Sequence, residues 1–318
     1  MSISYNEKEH LWVERYRPTK IEDCILQERT KQEVKAIVVD KTIPNLLFYG
    51  PPGCGKTTLA KAMCSEAKVD WMMINGSNER GIDVVRDKIV SFASTASLSG
   101  LDHKVVIVDE GDRFSILAQD SLKSEIERFS KSCSFIFTAN HPNRIIEALQ
   151  SRLIGVNFEP KEQEIERMQA EMFVRICQIL DKESVKYNEV VLIEVIQRFF
   201  PDNRRILGEL QQYSRSSKDI NEGILLHLEG ANTEALIKAI SEKKFKQITQ
   251  WCANNATKDT SLLYEEIYLN LKSFVNPDSI PDAIMILEEY QRFDATVPSK
   301  ELHLAAMSTE LMTSLTFK

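Results

Sequence analysis

An α/β fold built on a parallel sheet and followed by all-helical parts is what this sequence predicts, and three observations carry it. Apolar runs alternate with helix-forming stretches through the first half of the chain, the order that right-handed β-α-β crossovers require. A phosphate-cradling pattern, G-x-x-x-x-G-K-[ST], stands at Gly50-Pro51-Pro52-Gly53-Cys54-Gly55-Lys56-Thr57 between one such run and one such helix. Strand signals stop near Lys161; beyond it only amphipathic helical periodicity is left, without a single glycine after Gly230.

Length and composition bound the rest. The 318 residues are enough for two or three domains, and 43% hydrophobic with 27% charged residues is ordinary for a soluble globular chain. The net charge of −7, from 40 basic and 47 acidic residues, excludes a polycation. Any contact with nucleic acid has to come from a local basic patch. Cys24, Cys54, Cys64, Cys133, Cys177 and Cys252 form no C-x-x-C pair, so they read as reduced, mostly buried thiols rather than zinc ligands or a disulfide framework. The polar N-terminus lacks an apolar signal core and no apolar run is long enough to span a bilayer. An intracellular, cytoplasmic protein is expected.

Taken in order, Leu11 to Pro18 is not expected to be helical, because Pro18 keeps Arg17 extended. Its apolar side chains either cover the core or line a base pocket beside the phosphate loop. Gln27 to Val39 reads as a helix through Val34, Ile37 and Val38, and Leu46 to Tyr49 as a strand. In the loop that follows, glycines turn backbone N–H groups toward phosphate, the next helix adds its positive end, and Lys56 reaches the terminal phosphates. Thr57 offers a hydroxyl to Mg²⁺, and Thr58 to Met63 continues as good helix former. Trp71 to Asn75 is a short strand, and Val85, Ile89, Phe92, Ala93 and Ala96 share one face of a helix.

Lys104 to Val108 is an unbroken apolar run that ends in Asp109 and Glu110, the pattern of a strand buried on both faces. Ser134 to Thr138 repeats it and leads to Asn140. Ligands of such sheets bind at the carboxyl ends of the strands. Asp109 would position Mg²⁺ there and Glu110 would polarise the attacking water. Asn140 is either a turn residue before His141-Pro142 or a group that holds the water or the γ-phosphate. Further on, Ile165, Met168, Met172, Phe173, Ile176 and Ile179 mark a helix, Val190 to Phe200 a second, and Asp202 to Tyr213 a third after Pro201. Later amphipathic segments run through Ile267, Leu271, Ile284, Leu287 and Leu304. The expected division is a nucleotide-binding domain over 1–160, a small helical lid over 161–230 and a separate helical domain over 231–318.

Several of these stretches resemble one family, the clamp-loader ATPases of the AAA+ class, which include the replication factor C small subunits. Trp12-Val13-Glu14-Arg15-Tyr16-Arg17-Pro18 is similar to the family's adenine-pocket box, Asn75 to Arg86 to its second signature, and Asp109-Glu110-Gly111-Asp112 to its D-E-x-D box. Ala118 to Lys123 resembles the helix that follows, Ser151-Arg152 the arginine-finger motif and Asp202-Asn203-Arg204-Arg205 the lid-arginine motif. The stretch from Ile206 onward and Glu301 to Ala305 is most similar to the large subunits of T4-type phage clamp loaders.

The resemblance implies an AAA+ P-loop ATPase domain, a lid and a collar, with ATP and Mg²⁺ as cofactors. It implies base contacts from Val13, Tyr16, Arg17 and Pro18. Arg152 would serve a neighbouring subunit's γ-phosphate, although Leu153 stands where the family commonly has Cys. Arg204 would touch phosphates from the lid, with Arg205 a competing candidate. Gln119 would couple adjacent subunits; by spacing alone it belongs with Lys123 and Glu127 to a polar flank of one helix. Arg80, Arg86 and Lys88 would track duplex DNA, with Arg80 also linking DNA to the catalytic glutamate. Read without the resemblance, they are a solvated basic face and Arg152 is a helix-end charge. The implied function is DNA- and clamp-stimulated loading of a ring-shaped sliding clamp onto primer-template DNA. Further copies of the chain and one different loader subunit would be partners, and the host cytoplasm the location if the protein is of phage origin. Another AAA+ motor, such as a helicase loader or branch-migration ATPase, and a nonhydrolysing ATP-binding scaffold are the alternatives.

Overall fold

A computed structural model describes residues 9–39, 42–77, 82–95, 103–228, 233–256, 261–294 and 296–318. The chain divides into two compact units, one ending at Ile224 and the other beginning at Leu225.

In the first unit, α1 (Trp12–Arg15) and α2 (Glu28–Val39) precede β1 (Leu46–Tyr49). Then β and α elements alternate: α3 (Lys56–Ala67), β2 (Asp70–Asn75), α4 (Ile82–Ser94), β3 (Lys104–Asp109), α5 (Ile116–Arg128), β4 (Cys133–Ala139), α6 (Glu147–Gln150) and β5 (Ile154–Asn157). The five strands form one parallel sheet in the order β2-β3-β4-β1-β5. Side chains of a strand alternate between faces, and both faces are covered. Phe48, Val105, Ile107 and Ile136 pack with Leu59 and Met63 of α3 on one side. Val106, Val108, Phe135 and Phe137 pack with Ile89 of α4 and Leu122 and Ile126 of α5 on the other. This double burial is why β3 and β4 read as unbroken apolar runs. Phe48, Phe135 and Phe137 are fully enclosed, and truncating one to Ala would cost about 3–5 kcal/mol.

The register brings four strand ends together. Tyr49 pairs with Ala139 and Asn75 with Asp109, so Gly50, Asn75, Asp109 and Asn140 meet at the carboxyl edge of the sheet, where α/β folds place their ligands.

Three long helices follow: α7 (Glu162–Lys182), α8 (Glu189–Phe199) and α9 (Asn203–Ser216). Asn188 caps α8, accepting from the N–H of Val190, and Asp202 caps α9, accepting from the N–H of Arg205. Such caps contribute about 1 kcal/mol each. Met172, Ile176, Leu192, Ile196, Ile206 and Leu210 form the buried faces of these helices. The helical segment also contains a two-residue parallel pair, β6 (Lys186–Tyr187) with β7 (Asp219–Ile220), although the sequence signals no strand there. Two residues are too few to display an alternating period.

One other expectation is corrected, and one strand has no counterpart in the sequence reading. The 11–18 segment is not wholly extended: Trp12–Arg15 makes one helical turn, with the N–H of Tyr16 donating to the Trp12 carbonyl. Pro18 restricts only the residue before it, so a turn that closes at Tyr16 is compatible with it. The edge strand β5 escapes a hydrophobic reading because Ile-Gly-Val-Asn contains a glycine and faces solvent along much of its length.

The second unit is helical: α10 (Glu222–Leu228) leads into it from the first, and α11 (Thr233–Ser241), α12 (Phe245–Asn255), α13 (Ser261–Phe274), α14 (Ile280–Phe293) and α15 (Lys300–Ser314) follow. Leu236, Ile248, Cys252, Ile267, Leu287, Leu304 and Met307 make its core. Near the C-terminus Phe317 bridges to Val275 and stacks on Phe274. No helix among the described residues is long and apolar enough to cross a membrane. All six cysteines carry free thiols and five are buried.

Candidate active site

A cavity opens at the carboxyl edge of the sheet. One end, at the strand termini, is lined by Pro52 through Thr58 together with Asp109, Glu110, Thr138 and Asn140, and the remainder by Val13, Tyr16, Arg17, Pro18, residues 23–26, Met172, Arg175 and Leu207. Asn203 and Arg204 of α9 also line it.

The loop's shape follows from its glycines. Gly55 caps α3 at φ +95°, and Gly53 sits at φ +71°, where a Cβ would come 1.7 Å from Asp202 Oδ1. Only glycine permits both the left-handed backbone and that approach of the loop to the cap of α9. Lys56 is buried, and its ammonium donates to the carbonyls of Gly50 (2.8 Å) and Pro51 (2.7 Å) and to Asn140 Oδ1 (2.8 Å). Burial holds its pKa below the ordinary lysine value.

Around Asp109 the polar groups are locked. Its Oδ1 accepts from the Thr57 hydroxyl at 2.5 Å and the Thr138 hydroxyl at 2.7 Å. The Thr138 oxygen in turn accepts from the Glu110 N–H at 3.0 Å. Glu110 has φ +54°, a left-handed conformation that a non-glycine residue adopts at a cost. Its carboxylate accepts from the Ser77 hydroxyl and forms an ion pair with Arg113, whose Nε lies 3.2 Å away. Asp112 is buried and accepts from the N–H groups of Asn140 (3.1 Å) and His141 (3.0 Å), which fixes the turn that carries Asn140. Ser77, Thr138 and Asp112 thus orient groups that the sequence pointed to; the hydroxyls carry no pattern of their own, and Asp112 stands in the D-E-x-D stretch without a role that the sequence assigns to it.

Between these two groups of residues, Arg17 spans from Glu14, whose pKa it lowers by hydrogen bonding, to the Thr58 hydroxyl at 3.1 Å. Arg175 donates to the carbonyls of Tyr16 (2.7 Å) and Asp23 (3.0 Å). Gln211 of α9 accepts from the Trp12 N–H and donates to the His10 carbonyl. Of the two adjacent lid arginines, Arg204 lines the cavity, whereas the Arg205 guanidinium lies 4.6 Å over the Phe199 ring.

The remaining candidates lie elsewhere. Arg152 is exposed and outside this chain's own cavity; its Nε and Nη2 donate to Glu127 Oε1 and its Nη1 to the Ala148 carbonyl. Gln119 leaves the polar flank expected of it. It is 1% exposed, donates to the carbonyls of Phe114 and Arg144, and accepts from the Ile146 N–H. Its position beside the apolar stripe carries it under the 142–147 turn, so a buried tie replaces a solvated side chain. Arg86 and Lys88 are exposed on α4, and Arg86 Nε donates to the buried Glu125 at 3.2 Å. Arg80 and Ala96 lie outside the described residues.

A glycine loop opening a helix, a lysine and a threonine inside it, and two carboxylates at the neighbouring strand end define an ATPase of the AAA class. The family described as "ATPase family associated with various cellular activities (AAA)" matches residues 46–160, and the family described as "Sliding-clamp-loader large subunit, AAA+ ATPase lid domain" matches residues 164–226. The sliding-clamp-loader large subunit of Enterobacteria phage T4 is 34% identical to this chain, over 99% of the chain and 100% of the relative. That of Escherichia phage RB69 is 33% identical over the same shares. The chain belongs to the sliding-clamp-loader large-subunit family. The replication factor C small subunit of Archaeoglobus fulgidus is 39% identical over 64% of each chain. The solved Thermotoga maritima RuvB Holliday-junction branch-migration motor shares the fold, with a TM-score of 0.54 over 82% of this chain and 93% of that one at 19% identity.

Proposed function

We propose that this chain is an ATPase subunit of a sliding-clamp loader, one that spends ATP to open a ring-shaped clamp and set it on primer-template DNA during replication. The observation that carries the reading is a complete set for phosphate binding and water activation, Lys56, Thr57, Asp109, Glu110 and Asn140, around one cavity in a chain akin along its whole length to phage clamp-loader large subunits.

The residues divide the work. Backbone N–H groups at the start of α3 and the Lys56 ammonium take the β- and γ-phosphates. Glu110, held by Ser77 and Arg113, orients the water, and Asn140 stands next to Lys56 to fix the γ-phosphate. The Thr57 hydroxyl and Asp109 carboxylate, 2.5 Å apart, make an all-oxygen pair that suits Mg²⁺; the ion would neutralise charge on the phosphates. Arg204 reaches the phosphates from the lid, residues 161–230, and residues 231–318 serve as the collar that joins subunits. Arg152, exposed and outside its own cavity, suits the site of an adjacent copy in a head-to-tail assembly completed by one different loader subunit. Arg86 and Lys88, with Arg80, form the face that meets duplex phosphates, contacts that position without reading sequence. Gln119 couples this machinery by tying α5 to the turn that leads to α6 and Arg152.

The test is phosphate release by the assembled loader with and without clamp and primed DNA; stimulation by both is expected. Arg152→Ala should leave the isolated chain folded and lower turnover of the assembly by about 10³ or more. Turnover that ignores clamp and DNA would point instead to another AAA+ motor, and unchanged turnover in Arg152→Ala would return that residue to an ordinary surface charge.

A further inference from the structure

Asn203 is the first residue of α9 and lines the cavity with Arg204 and, one turn on, Leu207. Its carboxamide oxygen is buried and has no hydrogen-bond partner among the described residues. The preceding residue fixes it in place. Asp202 caps the helix and lies against Gly53, so Asn203 is anchored beside the phosphate loop where the helix begins. Farther along, Gln211 ties the same helix to Trp12 and His10. The helix is therefore held to the phosphate loop at its start and to residues 10–12 farther along, with Asn203, Arg204 and Leu207 on the cavity between.

A buried carbonyl oxygen without a donor is costly, and a ligand that brings an N–H or O–H to it recovers the loss. The choice of donor is narrow. An ionised triphosphate chain offers only acceptors, so phosphate cannot satisfy this atom. The nucleoside half can, through its ribose hydroxyls or an exocyclic amino group. Leu207, one turn on, lines the same cavity and supplies apolar surface, as sugar and base require.

We infer that Asn203 is a nucleoside-specificity residue, whose buried oxygen accepts a hydrogen bond from the ribose or the exocyclic amine of the bound nucleotide. The inference rests on the reading of this cavity as an ATP site. It assigns to the lid helix a second contact, distinct in chemistry from that of Arg204: the arginine answers phosphate charge, and the asparagine answers a neutral donor.

The test compares the full-length chain with Asn203→Ala, by calorimetric binding of ATP, 2′-deoxy-ATP, 3′-deoxy-ATP, purine riboside triphosphate and inorganic tripolyphosphate. ATP should bind the variant about fivefold more weakly, the order of one neutral hydrogen bond. The difference between the two proteins should vanish for whichever analogue lacks the matching donor, a deoxy sugar if the ribose donates or the purine analogue if the amine does. Tripolyphosphate should bind both proteins equally. Without nucleotide, the variant should melt no lower than wild type, because deleting an unpaired buried acceptor removes a penalty. Equal ATP affinity in the two proteins, a loss that persists in every analogue, or an equal loss for tripolyphosphate overturns the inference while leaving the ATP site intact. Wild-type protein that binds none of these ligands overturns the site and the inference together.

Discussion

The two ends of one cavity are built by opposite means. At the phosphate end a single contiguous loop, Gly50 to Thr58, is shaped by its own glycines and meets side chains already locked by the sheet register, with Asp109 between the hydroxyls of Thr57 and Thr138. The other end is assembled from two neighbouring stretches near the N-terminus, Val13 to Pro18 and residues 23–26, and two far along the chain, Met172 with Arg175 and α9. They are held by side chains reaching backbone carbonyls, Arg175 to Tyr16 and Asp23 and Arg167 to Leu26. On the proposed reading the difference follows two tasks, with chemistry at the sheet edge and the grip on the nucleoside given to the helices that follow it.

The sharpest way to break that division is at Glu110. Glu110→Gln keeps the side chain's size and removes its ability to take a proton, so kcat for ATP hydrolysis should fall by about 10²–10⁴ while ATP affinity stays close to wild type. Single-turnover hydrolysis alongside equilibrium binding reads the two separately; wild-type turnover in the variant would remove chemistry from this end of the cavity.

Arg175→Met probes the opposite end with a smaller effect. The substitution deletes the charged donors that hold Tyr16 and Asp23, groups worth more than neutral hydrogen bonds, and ATP affinity should drop about tenfold. It also deletes a cation whose pKa burial already holds below the usual arginine value, so relief of that desolvation offsets part of the lost stability. Tripolyphosphate, which needs only the loop, should bind the variant as it binds wild type. Parallel losses for ATP and tripolyphosphate would show that the two ends are one cooperative structure and not two.

What could be read from the sequence divides along the same line. Gly50 to Thr57 and the Asp109–Glu110 pair were legible because their chemistry needs adjacent residues of fixed type, and the apolar runs beside them fix where strands end. The main helices were legible through periodicity, from Val34 on α2 to Leu304 on α15. Arg175 was not singled out, since it matters through partners far away in the chain and stands in no pattern; Asp112 and Asn203 stand in the D-E-x-D and lid-arginine stretches, which assign neither of them a role of its own. Gln119 had the right helix and the wrong exposure: spacing gives the face of a helix, but whether a turn such as 142–147 folds over that face is a tertiary fact. Arg204 and Arg205 are adjacent and chemically alike, and only the fold puts Arg204 on the cavity and Phe199 under Arg205.

Alkaline pH gives the smallest effect and sharpens the comparison at its base. Burial lowers the Lys56 pKa below its ordinary 10.5, so between the lowered value and 10.5 the unfolded chain binds more protons than the folded one. Stability contributed by this group therefore rises as pH climbs through that window, because the cost of a buried ammonium disappears. ATP binding should move the other way, since phosphate is attracted to the charged form alone. Titrating ATP affinity upward in pH should show a severalfold weakening, about 1 kcal/mol or less, that sets in below the pH at which an exposed lysine loses its proton. Lys56→Met should bind ATP more weakly throughout and lose most of the pH dependence. Adenosine, which has no phosphate to meet the ammonium, should bind wild type with a flat profile over the same range. A profile for adenosine that falls in step with ATP would trace the effect to loosening of the whole cavity, and Lys56 would no longer be the group that distinguishes its two ends.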